Sequence, residues 1–242
     1  MNPPDRILVA GASSDLGIAL IRRLLESGDT SILAHYHKSP ERIERLGTQG
    51  RIRAIGADFE SVESVERMVD ELSDQVPDQL VYLPALKLRY ERFSRFDLGH
   101  FDRDMNIQVR SAVALLKRLL PKMAELPRAK VVFVLSTVTA RVPPRFMSMY
   151  TVVKHAQLGL MRALASEYAA SRITINAVSP TMIETRFLDE VPAIAKEMTA
   201  AAAPRGRIAS TDDVVGAIQF LLSRESDFIN GIELPVSGGG AF

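Results

Sequence analysis

The chain has no cysteine among its 242 residues. That excludes a disulfide framework and a thiolate metal centre, and it fits a reducing compartment. An excess of one charge is also missing, because 30 basic residues face 29 acidic ones and leave a net charge of +1. No global field would hold such a chain on nucleic acid or on an anionic membrane, so any basic patch must be local. No run reaches the ~18 apolar residues of a membrane span. "MNPPDRILVAG" enters an apolar strand without a basic leader, an apolar h-region or a small-residue cleavage site. The expectation is a soluble, cytoplasmic protein with no nucleic acid, membrane or metal partner. Internal repeats, low-complexity tracts and linkers are absent too, and 47% hydrophobic content suffices for a sizeable core, so one domain over 1–242 is predicted.

What is present alternates. "RILVAGA" reads as a strand and "LGIALIRRLLESG" as a helix with Gly28 suited to a C-cap. "SILAHYH", "RIRAIGAD", "QLVYLPA", "KVVFVLST", "ITINAVSP" and "IELPVSG" read as further strands. The helices between them are "SPERIERLG", "SVERMVDELSDQ", "HFDRDMNIQVRSAVALLKRLLPKM" and "TDDVVGAIQFLLS", with another starting near "MYTVVKHAQ". Alternation of this kind implies a parallel sheet with helices on both faces. The alanine-rich "EVPAIAKEMTAAAAPRGR" interrupts it, and a substrate lid is expected within 181–207.

In such a sheet ligands bind beyond the carboxyl ends of the strands. After the first strand, "AGASSDLG" supplies Gly11, Ser13, Ser14 and Gly17 just before a helix. Small residues let a pyrophosphate approach the backbone, and the helix start offers free N–H groups; the alternative is a tight turn that binds nothing. After the second strand, a carboxylate ~20 residues beyond the loop would select a free ribose 2'-hydroxyl. "AHYHKSP" has none, and offers His35, His37, Lys38 and Ser39 to an anion, which favours NADPH over NADH. Asp58 in "GADFES" is placed either to receive the adenine amino group or to cap the next helix.

Together with "FDRDMNIQVRSA", "YTVVK", "ITINAVSPTMIETRF" and the tail from "GRIAS" to "PVSGG", these stretches make the chain resemble the classical short-chain dehydrogenases/reductases over essentially its whole length. Within them it is most similar to the 3-oxoacyl-acyl carrier protein reductases. The resemblance implies a Rossmann-type doubly wound α/β fold of about seven parallel strands. It places Asp15, Leu16, Phe59, Tyr82, Pro180, Thr181, Ile183 and Thr185 on the cofactor. It also implies pairing into homodimers or homotetramers through "AVALLKRLLPKM" and "AQLGLMRALASEY".

Carbonyl reduction needs a hydride at carbon and a proton at oxygen as charge builds there. A free tyrosine titrates near ~10, and an adjacent ammonium would lower that value. Tyr150 and Lys154 stand at i and i+4, on one helix face, and are expected to be the acid and its ribose-binding partner. The family's substrate-binding serine lies thirteen residues before the tyrosine, which falls on Thr137, with Ser136 as the fallback. Its relay asparagine aligns with Gln108, with Asn106 as the fallback. Where the family carries Asn-Asn-Ala-Gly this chain has Tyr82, Leu83, Pro84 and Ala85.

The implied activity is NADPH-dependent reduction of a ketone, plausibly a 3-oxoacyl thioester or a polyketide intermediate. Arg141, Arg145, Arg186, Arg205 and Arg207 near the mouth are candidates to dock an acidic acyl carrier protein. The alternatives are a sugar or polyol dehydrogenase and a non-catalytic nucleotide-binding relative.

Overall fold

The computed structural model describes residues 5–26, 28, 30–47, 50–72 and 75–240. Positions 1–4 of the leader reading, Ser27 in the first predicted helix, and Ser73 and Asp74 in the third lie outside the described residues. Seven strands form one parallel sheet: β1 (Arg6–Ala10), β2 (Ser31–Tyr36), β3 (Ile52–Gly56), β4 (Gln79–Tyr82), β5 (Ala129–Val134), β6 (Ile173–Pro180) and β7 (Glu233–Val236), in the order β3-β2-β1-β4-β5-β6-β7. The order reverses between β1 and β4, and the loops leaving the carboxyl ends of those strands open the crevice that a doubly wound sheet provides for a ligand.

Side chains alternate faces along each strand. Leu8, Leu33, Val131 and Phe133 therefore pack on one side with α3 (Val62–Glu71), α5 (Ser111–Ala124) and α6 (Ser148–Glu167). Val9, Ile32 and Val132 face the other side, under α1 (Asp15–Glu26) and α8 (Thr211–Leu222). Ser61 caps α3, and Ser210 with Asp213 forms a capping box at α8, so both helix starts are fixed where the pattern predicts them.

Three elements depart from expectation. The second predicted helix shrinks to α2 (Glu41–Glu44), because only Ile43 reaches the core and the chain turns at Gly47, whose φ is 56°. The long central helix is interrupted: α4 (Leu98–Met105) passes through a π-helical turn, Asn106–Arg110, into α5. There the Ser111 N–H bonds back to Asn106 O, while Ile107 O accepts hydroxyl bonds from Tyr82 at 2.7 Å and Ser111 at 2.6 Å. The alanine-rich excursion carries α7 (Ala193–Ala202), and the segment leading into it rests on a small core of Leu88, Val138, Met147, Leu188 and Val191.

Candidate active site

A cleft of about 830 Å³ runs along the carboxyl ends of the strands. At its nucleotide end, Gly11 adopts φ 79°, and a Cβ there would lie 3.2 Å from Pro84 N. A Cβ on Gly17 would come within 2.6 Å of Ala12 O, so only glycine lets α1 start against the loop. Gly11, Ser13, Ser14, Asp15 and Leu16 line the cleft, as do His37, Asp58 and Phe59, with Leu83, Pro84 and Ala85 as the platform after β4. Pro180, Thr181, Ile183 and Thr185 close the other wall. A narrow backbone cradle at a helix start, continuous with a long cleft, fits a dinucleotide.

Four expected cofactor contacts come out differently. His35 is buried, its Nδ1 accepts from Gly11 N at 3.0 Å, and its Nε2 meets Ala57 O at 3.1 Å. Burial pushes it down to about 4, so it is a neutral ring stacked on Phe59 that braces the glycine loop and has no donor left for an anion. Lys38 is exposed and does not line the cleft. Tyr82 turns into the core, where its hydroxyl bonds Ile107 O and Ser111, so the cofactor platform begins at Leu83. Gly17 does not line the cleft; it acts through packing and through its N–H, which donates to Ser14 Oγ at 3.0 Å.

Arg42, which carried no signal in the sequence, enters the nucleotide end from α2. Its guanidinium donates to Ser13 O at 2.5 Å and to Asp15 at 2.7 Å. Asp15 also accepts from the Arg186 backbone N–H at 2.8 Å, which ties the glycine loop to the segment after β6. Burial pushes the Asp15 carboxyl up, but the Arg186 N–H and the Arg42 guanidinium together hold it below its usual range.

At the chemical end, the chain passes through Phe146 at φ 70°, the one described non-glycine residue with positive φ, and enters α6. That turn is delivered four residues before Tyr150. Tyr150 is half-buried in the first turn of α6, and Lys154 is 3% exposed one turn on. Lys154 Nζ lies 5.7 Å from the Tyr150 ring centre and donates to Val134 O at 3.2 Å and to Gln157 Oε1 at 3.1 Å. Desolvation raises the Tyr150 hydroxyl above its ordinary value, and the hydrogen bond from Ser136 opposes this. The expected lowering of Tyr150 by Lys154 is therefore not what the site does. Desolvation instead brings Lys154 down to about 8, with Asp104 pulling the other way. The tyrosine thus stays a protonated donor at neutral pH.

Of the two candidates at the end of β5, Ser136 is the one bonded to Tyr150. Thr137 lines the cleft beside it, in a short 3₁₀ turn that Ser136 caps. Gln108 sits in the π turn, fully buried, with Nε2 donating to Asp104 at 2.5 Å instead of facing Lys154. Its backbone carbonyl accepts from Gln157 Nε2 at 2.8 Å, so Gln157 bridges Gln108 and Lys154. Asn106 begins the π turn and does not line the cleft. Gln157 could have been noticed three residues after Lys154, and Asp104 four before Gln108, on shared helix faces.

A parallel doubly wound sheet, a glycine cradle at α1 and a serine-tyrosine-lysine cluster facing it define a dinucleotide-dependent oxidoreductase of the short-chain type. The chain belongs to the short-chain dehydrogenase/reductase family, and a family model described as "Enoyl-(Acyl carrier protein) reductase" matches residues 11–240. Acetoacetyl-CoA reductase of Allochromatium vinosum is 27% identical over 239 residues, covering 96% of each chain. The 3-oxoacyl-[acyl-carrier-protein] reductase of Rickettsia bellii is 25% identical over 237 residues, covering 96% of this chain and 95% of its own. A crystal structure of gluconate 5-dehydrogenase from Burkholderia cenocepacia, in complex with NADP and tartrate, shares the fold at a TM-score of 0.88 and 22% identity, covering 98% of this chain and 94% of its own. Among the described residues, no helix is long and apolar enough to cross a membrane.

Proposed function

We propose that the protein is an NADPH-dependent reductase that converts a ketone to a secondary alcohol, with a 3-oxoacyl thioester as the substrate class. The observation that carries this reading is the buried Lys154 beneath Tyr150, itself bonded to Ser136, at the floor of a cleft with an apolar stretch in its outer wall. Leu88, Tyr90, Val138, Met182, Phe187 and Met198 line that outer part. An acyl chain is accommodated by such side chains, which offer nothing to the hydroxyls of a sugar or polyol, although Lys87, Arg141, Asp189 and Thr199 line the same cleft.

The reduced nicotinamide, when bound, is the hydride source. The loop from Gly11 to Leu16, the Leu83–Pro84–Ala85 platform, Asp58, Lys154, Pro180, Thr181, Ile183 and Thr185 are the residues that would hold the dinucleotide. Ser136, with Thr137 beside it, orients the carbonyl oxygen, and Tyr150 gives that oxygen its proton as charge develops. Lys154 keeps a positive charge beneath the phenolate this leaves. His37, which lines the cleft, and Arg42, which reaches the glycine loop at Ser13 O and would have to leave Asp15 to bind an anion, replace His35 and Lys38 as the basic groups offered to a 2'-phosphate, and β2 ends without a carboxylate.

An acyl carrier protein would meet Arg141 and Arg205, both exposed. Arg186 and Arg207 are committed to Asp15 and Asp213, and Arg145 lies over the Phe146 ring. Pairing of subunits through α5 and α6 would cover the exposed Val113 and Val152.

The test is a panel of acetoacetyl-CoA, 3-oxoacyl carrier protein, keto sugar acids and polyols with NADPH or NADH, alongside thermal shifts with each cofactor. Thioester reduction, with greater stabilisation by NADPH, is the expected result. Turnover of sugar acids alone would overturn the substrate class, and equal shifts would overturn the cofactor preference. Absence of any turnover with a cofactor-induced shift would leave a nucleotide-binding relative.

A further inference from the structure

His100, Asp104 and Gln108 are spaced four residues apart and follow one face of α4 into the π turn. The row ends beside the chemical end of the cleft. Asp104 is 8% exposed and Gln108 fully buried, and the hydrogen bond between them joins Asp104 to the site. Two buried side-chain atoms of the row have no hydrogen-bond partner, His100 Nδ1 and Gln108 Oε1. A separate cavity of about 30 Å³ lies against His100, Asp104 and Tyr150. Its lining mixes those three polar groups with Leu88, Phe96, Phe101 and Phe146, and its size suits one water molecule held by the polar side.

A buried carboxylate is costly unless its charge or its proton is used. The groups facing Asp104 leave it little else to do. Tyr150 and Lys154 approach from α6, and its charge acts on both. From the segment after β4, Lys87 and Arg89 also border the cavity, but they donate to Asp189 and Glu190 at 3.1 and 2.9 Å. Glu91 lies 4.0 Å from Arg89, and Asp97 is occupied capping α4. Meanwhile the inner route from Lys154 is closed by Gln157, since a carboxamide that donates from Nε2 and accepts at Oε1 fixes its neighbours without exchanging a proton with them.

We propose that Asp104 and His100 are the proton supply of this site, delivering a solvent proton to Tyr150 through the small cavity. The proposal rests on the reductase reading above. As the Tyr150 O–H bond breaks and its proton passes to the substrate oxygen, the phenolate takes a proton from water in the cavity. The Asp104 carboxylate passes a proton to that water as it takes one from His100, which is half-buried and reaches solvent. One proton enters for each one delivered, and no electrons move in the relay. Asp104 acts through Tyr150 and Lys154 and does not touch substrate.

Asp104→Asn keeps an oxygen for the Gln108 amide but cannot carry a proton, while Asp104→Ala loses both. NADPH oxidation with acetoacetyl-CoA is followed in H₂O and D₂O, and the Lys154 ammonium is titrated by NMR in protein labelled at lysine, with no substrate present. The expected result for Asp104→Asn is a kcat about tenfold lower with KM unchanged, a larger solvent isotope effect, and a Lys154 midpoint below that of the unmodified protein. His100→Gln should reproduce the loss in kcat. An Asp104→Asn variant that matches the unmodified protein in kcat and midpoint overturns the proposal, and so does one impaired only as Ala, which would make Asp104 a brace for Gln108. If the unmodified protein does not reduce acetoacetyl-CoA, the reductase reading fails and the midpoint alone decides: a downward shift supports the coupling of Asp104 to Lys154, and an unmoved one overturns it.

Discussion

On the glycine-loop side of the cleft, the controlling features are atoms that are not there: Gly17 has no room for a Cβ, and Gly11 needs a positive φ against Pro84. On the α4–α6 side they are side chains, the half-buried Ser136 and Tyr150 and the buried Lys154, Gln157, Gln108 and Asp104, held by one another. The first kind of site is steric and tolerates almost no substitution. The second is electrostatic, so its behaviour depends on pH and on which polar groups are left unpaired. The difference teaches that binding and proton chemistry in this molecule can be damaged separately.

The largest effect is expected from Gly17→Ala. A methyl group 2.6 Å from Ala12 O must displace backbone, and overpacking of that kind costs about 3 kcal/mol or more. Denaturant unfolding should show the loss, together with weakened NADPH binding; a variant of ordinary stability would mean that the cradle is pliable.

Next comes the pH dependence set by Lys154. With its value brought down to about 8, the ammonium is present below that pH and is lost above it, so the reduction rate should fall about tenfold per pH unit on the alkaline side. Stability moves the other way. Between about 8 and the ordinary lysine range the unfolded chain binds more protons, so this group makes the fold more stable as pH rises. Parallel pH profiles of rate and of unfolding free energy check the opposite signs.

Tyr82→Phe tests the strut between the two sides. It removes a buried hydroxyl that bonds Ile107 O and Ser111, but Ser111 still serves Ile107 O, so about 1–2 kcal/mol of stability should be lost while cofactor binding is unchanged. The smallest effects fall at the ribose end. Arg42→Ala should lower the NADPH to NADH affinity ratio several-fold, about what one half-buried charge already paired with Asp15 contributes, while Lys38→Ala leaves it unchanged. Reversed results would return the 2'-phosphate to Lys38.

Legibility in the sequence followed the same division. Strand runs, the caps at Ser61 and Ser210, the glycine loop and the i, i+4 spacing of Tyr150 and Lys154 are local patterns, and local patterns can be read along a chain. The offset of thirteen residues pointed to Thr137, which lines the cleft, while its neighbour Ser136 also acts on the tyrosine, and the 3₁₀ turn that presents both has no period to read. His35 looked like a basic group at a strand end because its burial beneath Phe59 depends on a neighbouring strand. Arg42 and the turning of Gln108 toward Asp104 likewise depend on long-range placement and on a π turn that shifts the helix face.

The central claim is that Tyr150 is the proton donor of a reductase whose cofactor cradle is built separately. The most direct measurement compares the unmodified protein with Tyr150→Phe, reading NADPH affinity by titration and NADPH oxidation with acetoacetyl-CoA in the same preparations. The account predicts equal affinity and a rate lower by about 10²–10⁴-fold in the variant. A Tyr150→Phe protein that turns over at the unmodified rate would contradict it.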